Sequence, residues 1–180
     1  MSLFQGVQWV APTDLLVSQL YLNNSRLKKV EKWFDPNNMN LCQPLPVHDF
    51  GNGKLTLVDG HSRAFTAYRH NVMVPIVYDM DAILTSEIGQ MLYKNDLLWC
   101  QRFHIQTVAD LGNRIVDSSK FQTLWIDRCH HAFNLLTKVN EYEKSKLEQQ
   151  HADLFLYGAN DDLTIYYFEN VQGQLFEFSL

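Results

Sequence analysis

Asp59-Gly60-His61-Ser62-Arg63 brings a carboxylate, an imidazole, a hydroxyl and a guanidinium together around one glycine. The run before it, Lys54-Leu55-Thr56-Leu57-Val58, alternates as a strand does, and Ala64, Ala67 and Tyr68 follow at helical spacing, so the five residues read as a strand-to-helix turn. Gly60 supplies the positive φ or close approach that such a turn needs. The helix behind it points unpaired backbone N–H groups back at the turn, and its aligned peptide dipoles add partial positive charge there. Together these make an anion site. Arg63, in the first helical turn, offers a planar fork for phosphate or carboxylate. Ser62 adds a hydroxyl, and His61 adds a donor or a proton-transfer group. Asp59 can orient His61, hold Mg²⁺ or act as a base. The phosphate- or nucleotide-binding set is therefore Gly60, His61, Ser62 and Arg63, with Asp59 and His61 as candidate catalytic groups. The same residues also fit a simpler reading, in which Asp59 or Ser62 caps the helix and Arg63 makes a surface ion pair.

The elements that must position this turn follow from pattern and punctuation. Val7 to Val10 reads as a strand ended by Pro12. Asn23, Asn24 and Ser25 offer N-caps to a helix with Leu27, Val30 and Trp33 or Phe34 on one face and Arg26, Lys28, Lys29 and Lys32 on the others. Asp35-Pro36-Asn37-Asn38 closes it as a turn. Pro44 to Asp49 and Lys54 to Val58 form a hairpin around Gly51-Asn52-Gly53. Asn71 ends the helix after the anion turn, and Val74 to Tyr78 resumes as a strand whose Pro75 suits an edge or a strand start.

From Asp81 the pattern turns helical. Thr85 or Ser86 caps a helix carrying Ile88, Met91 and Leu92. Thr107 to Asp110 resembles a capping box, and Ser119 to Gln122 fits that pattern better, ahead of one long amphipathic helix with Phe121, Leu124, Trp125, Ala132, Leu136 and Val139. Glu141 to Gln150 is polar and solvated. Three short strands within the last thirty residues form an antiparallel meander, open to completing a sheet with the N-terminal part. Trp99-Cys100 and Trp125 pack the helical part. In Cys129-His130-His131 the adjacent histidines point about 100° apart on a helix, so the pair reads as surface histidines beside a buried cysteine and no metal site is expected.

The 180 residues are 46% hydrophobic and 19% charged with a net charge of −5, which fits an ordinary globular chain and disfavours non-specific nucleic-acid binding. Three well-separated cysteines suggest a reducing compartment. With no long apolar run and no basic-then-apolar leader, a cytoplasmic protein without a membrane span is expected.

Taken in order, Trp9-Val10-Ala11-Pro12-Thr13-Asp14-Leu15-Leu16, Pro44-Leu45-Pro46-Val47, Leu57-Val58-Asp59-Gly60-His61-Ser62-Arg63-Ala64 and Val74-Pro75-Ile76 resemble the ParB/sulfiredoxin superfamily over residues 7–79. The resemblance implies an α+β fold: a ParB/sulfiredoxin-like mixed sheet with helices at 7–79, then a helical and β extension at 80–180 packed on it. It also implies a phosphate or nucleotide at the glycine turn. Sulfiredoxin-like members use a loop cysteine, which this loop lacks. The free serine kinases carry Asp-Gly-His-His-Arg, matched here at Asp59, Gly60, His61 and Arg63 with Ser62 in place of the second histidine. They also use a glutamate after the first strand, where this chain has Ser18, Gln19 and Leu20. Partition-protein members bind CTP and carry a helix-turn-helix, for which Thr107 to Gly112 is a weak counterpart among few basic residues. The expected ligand is a nucleotide (ADP, ATP or CTP, with Mg²⁺) or another phosphorylated small molecule. The resemblance leaves three readings open: a phosphotransferase, a nucleotide-gated DNA-binding module without catalysis, and a fold kept only for protein interaction.

Overall fold

In a computed structural model of the chain, residues 6–180 are described; residues 1–5, where a leader would begin, lie outside them. The fold is mixed α+β, with a mixed five-stranded sheet and a separate C-terminal antiparallel sheet of three strands. The chain divides into two compact units after Phe121, so residues 80–121 belong with the N-terminal segment.

In the first unit the strands are β1 (Gln8–Val10), β2 (Leu16–Val17), β3 (Leu22–Asn23), β4 (Leu45–His48), β5 (Thr56–Leu57), β6 (Val74–Tyr78) and β7 (Ile115–Val116). The helices are α1 (Asn24–Trp33), α2 (His61–Arg69), the short α3 (Ala82–Thr85), α4 (Glu87–Arg102) and α5 (Ser118–Phe121). The five-stranded sheet runs β1-β6-β4-β5-β2, with β1/β6 and β4/β5 antiparallel and β4/β6 and β2/β5 parallel. β3 and β7 form a separate parallel pair. Pro75 thus sits in an interior strand, as its second residue, opposite Trp9.

Local chemistry explains the boundaries. Asn23 caps α1, its Oδ1 accepting from the N–H groups of Ser25 at 2.9 Å and Arg26 at 3.2 Å. The hairpin turn is held by Asp49, whose Oδ1 takes the N–H groups of Gly51, Asn52 and Gly53. Ser86 caps α4, its Oγ accepting from Gly89 at 3.1 Å. The Thr107–Asp110 capping box is present, on a 3-10 helix at Val108–Asn113. On α2 the buried face is His61, Ala64, Phe65, Thr66 and Ala67, while Tyr68, expected inward, is 40% exposed. The core of the unit includes Leu15, Val17, Leu20, Leu22, Leu45, Val47, Leu57, Val74 and Ile76, each fully buried and worth roughly 1.5–3 kcal/mol relative to exposure.

The long amphipathic helix expected from Phe121 to Val139 is instead in pieces. Asp117, not Ser119, caps α5, its Oδ1 accepting from Lys120 N–H at 2.8 Å. The second unit opens with a π-helical stretch, Gln122–Asp127, before α6 (Arg128–Lys138). Its buried stripe is Trp125, Arg128, Ala132 and Leu135, with Leu136 only half-buried. α7 (Glu141–Gln150) has no buried residue.

β8 (Phe155–Ala159), β9 (Ile165–Glu169) and β10 (Leu175–Ser179) form the antiparallel meander, in the order β10-β9-β8. It does not extend the N-terminal sheet, because its short Asn-anchored turns pair the strands with one another. Asn160 Oδ1 accepts from Thr164 and Ile165, and Asn170 Oδ1 accepts from Gln172 and Gln174. α6 packs on β8 at Gly158, where a Cβ would stand 2.8 Å from the His131 carbonyl carbon. Leu135, Leu156, Ala159, Tyr166 and Phe168 make the core of this unit. Cys129 is half-buried rather than buried, and His131 stacks on Tyr167 at 3.9 Å.

Candidate functional site

β5 delivers the chain to Asp59 from a buried position, with Val58 N–H bonded to Pro46 O at 3.0 Å. Gly60 then takes the left-handed conformation, φ 82° and ψ 22°, and serves as N-cap of α2 without a capping side chain. The first bond back to the cap is Ala64 N–H to Gly60 O at 2.9 Å, which leaves the N–H groups of His61, Ser62 and Arg63 free of the helix ladder. A Cβ at residue 60 would lie 2.7 Å from Leu45 Cδ2 and 2.8 Å from Arg63 Nη2. Gly60→Ala should therefore cost about 1–2 kcal/mol from backbone conformation alone and displace the Arg63 tip. An unchanged melting temperature would show that the turn does not need this conformation.

Arg63 is held in place from one side. Its Nη1 donates to Gln43 O at 2.8 Å, and its side chain is only 15% exposed. Nη2 lies 4.0 Å from Asp59 Oδ2, too far for a hydrogen bond, so the fork retains donors for a ligand. The Asp59 side chain is 83% exposed.

His61 is placed differently from a solvent-facing acid or base. Its ring is buried, and Nε2 accepts from the backbone N–H of Ser18 at 3.2 Å, while Ser18 Oγ donates to Leu57 O at 2.8 Å. An N–H pointing at Nε2 requires that nitrogen to be unprotonated, which puts the neutral ring's proton on Nδ1. Burial pushes the His61 pKa down to about 4, and the Asp59 charge opposes the shift.

These groups open onto a cleft of about 420 Å³. Asp59, Gly60, His61, Ser62 and Arg63 line one side of it. Arg26, Val30 and Trp33 face them from α1, spaced i, i+4, i+7 on a single helical face. Gln19 and Gln43 also line it. The structure thus brings together every residue of the expected turn and adds lining residues absent from the expected set, among them the polar and aromatic side chains of Arg26, Trp33, Gln19 and Gln43. Arg26 shares a face with Val30 and Trp33, and that spacing was the available signal. Lys28, Lys29 and Lys32 are exposed and lie outside the lining.

The charge balance of the lining is two guanidiniums and a helix N-terminus against the single carboxylate of Asp59, a local positive field in a chain of net charge −5. Cys42 is buried, and burial raises its thiol pKa against the pull of Arg63, so it is a poor nucleophile. Among the described residues no group of three metal-ligating side chains gathers, and no helix is long and apolar enough to cross a membrane. No family model, curated protein or solved structure matches the chain.

Proposed function

We propose that the chain binds a phosphorylated small molecule, a nucleotide being the best fit, at the Asp59-Gly60-His61-Ser62-Arg63 turn. The observation that carries this reading is the convergence of the uncapped α2 N-terminus, Arg63 and Arg26 on one cleft. Its volume lies in the range of small-molecule sites. Trp33, 54% exposed at the rim, offers a flat apolar surface beside the charged groups, as a nucleoside needs. The succession of β1, α1, β4, β5, the glycine turn, α2 and β6 supports the ParB/sulfiredoxin-like assignment.

If phosphoryl transfer occurs here, Asp59 is the exposed group that would act as base or hold a Mg²⁺ ion, which would offset phosphate charge. His61 would then hold the loop to Ser18. Ser18 and Gln19, which stand where the free serine kinases have glutamate, supply no carboxylate.

Thermal shift with ADP, ATP, CTP, GTP and inorganic phosphate, with and without Mg²⁺, tests the site. A nucleotide should raise the melting temperature, and Arg63→Ala should weaken binding by roughly 10- to 100-fold, the worth of a charge-assisted contact. Absence of any ligand-dependent shift in the wild-type protein would sink the proposal.

One observation favours a second reading, a nucleotide-gated DNA-binding module. Lys28, Lys29 and Lys32 project from α1, the helix that also carries Arg26 into the cleft, and make no ion pair among the described residues. Nucleotide-dependent DNA retention that falls steeply with salt would support that module, and salt-independent or absent retention would exclude it.

A further inference from the structure

A second cleft of about 590 Å³ lies within the first unit, beside edge strand β2. Its walls are apolar: Phe50 and Ile105 are buried, Leu97 is half-buried and Leu98 is 62% exposed. Lys54 and Lys94 stand in the same lining, and no Asp or Glu does. Neither ammonium has a hydrogen-bond or ion-pair partner among the described residues. Asp49, the nearby acid of the hairpin turn, is committed to its own loop through the amides of Gly51, Asn52 and Gly53.

We infer that this cleft binds an amphipathic monocarboxylate, its apolar body against Phe50, Leu97, Leu98 and Ile105 and its head between Lys54 and Lys94. Two unpartnered ammoniums beside an apolar wall with no carboxylate complement an anion that carries a hydrocarbon portion. The backbone argues for a small molecule over an extended peptide. β2 is the sheet edge, but its Val17 N–H is already bonded to Gln106 O at 3.1 Å, so the edge does not offer strand pairing. The side-chain amides of Gln101 and Gln106 at the rim can complete the head-group contacts.

Octanoate and octanol, equal in chain length and different in charge, are the probes, read by isothermal titration on the full chain. Octanoate should bind saturably, with octanol at least ten-fold weaker. Lys54→Gln/Lys94→Gln should reduce octanoate affinity at least ten-fold without lowering the melting temperature, because both side chains are exposed. Leu98→Glu, which places a carboxylate in the lining at another exposed position, should also abolish binding. Arg63→Ala should bind octanoate as the wild type does, which separates this site from the nucleotide cleft. Equal binding of octanol, undiminished binding by the double lysine variant, or loss of binding in Arg63→Ala would each overturn the inference.

Discussion

Replacing Arg128 by alanine is expected to lower the unfolding free energy of the second unit by about 3–5 kcal/mol. Arg128 at the start of α6 meets Glu169 at the end of β9 through two parallel contacts, Nη1 to Oε2 at 2.8 Å and Nη2 to Oε1 at 2.6 Å. The side chains are 5% and 0% exposed, and the guanidinium lies 4.5 Å from the Tyr157 ring centre. Neither charge reaches water, so removing one strands the other in a low-dielectric site. Such a loss is comparable with the whole stability of a small domain. Glu169→Gln keeps the volume and one acceptor, and should cost less. The paired change Arg128→Met/Glu169→Leu removes both charges and should recover much of the loss. Urea unfolding of the three variants measures this. A cost below about 1 kcal/mol for Arg128→Ala would mean that the pair is worth no more than a surface one.

That ion pair also marks where sequence reading stops. Arg128 and Glu169 are 41 residues apart, and each taken alone reads as a surface charge. Only the pairing makes Arg128 an acceptable member of the stripe formed by Trp125, Ala132 and Leu135. The hairpin β4–β5, the glycine turn and α2 were legible because their signals are local: alternation, Gly51-Asn52-Gly53, Asp59-Gly60 and an Asn after the helix. β3 and β7 were not legible, since two residues carry no period and their pairing joins Leu22 to Ile115. The π-helical stretch at Gln122–Asp127 left no mark in the hydrophobic pattern, so one helix was expected where the chain makes three pieces. Of the residues that line the cleft, those on the turn lie together in the sequence and are legible there as one group. Those supplied across the cleft, Arg26 and Trp33, depend on how α1 lies against α2. A helical period gives a face but not what that face meets. His61 shows the same limit from the other side: its type and position suit acid–base chemistry, while its partner Ser18 is 43 residues away.

His61 should make the first unit acid-sensitive well above the range where carboxylates alone would do so. Above pH 6.5 the ring is neutral in both folded and unfolded chains and its bond to Ser18 N–H is intact. As pH falls below 6.5 the unfolded chain takes up a proton that the buried ring resists until about pH 4. Stability therefore drops with falling pH across that window, by roughly 3 kcal/mol in full. The geometry gives the same sign independently, since a protonated Nε2 would turn a donor toward the Ser18 N–H donor. His61→Gln can keep an oxygen acceptor for Ser18 but carries no titratable group. Melting temperatures of the wild type and His61→Gln, taken from pH 7.5 to 4.5, should diverge in slope, with the wild type falling more steeply. The comparison cancels the carboxylates that both proteins share. Parallel curves would show that His61 titrates as a solvated histidine, and the Ser18–His61 contact would then no longer explain how the glycine turn is held.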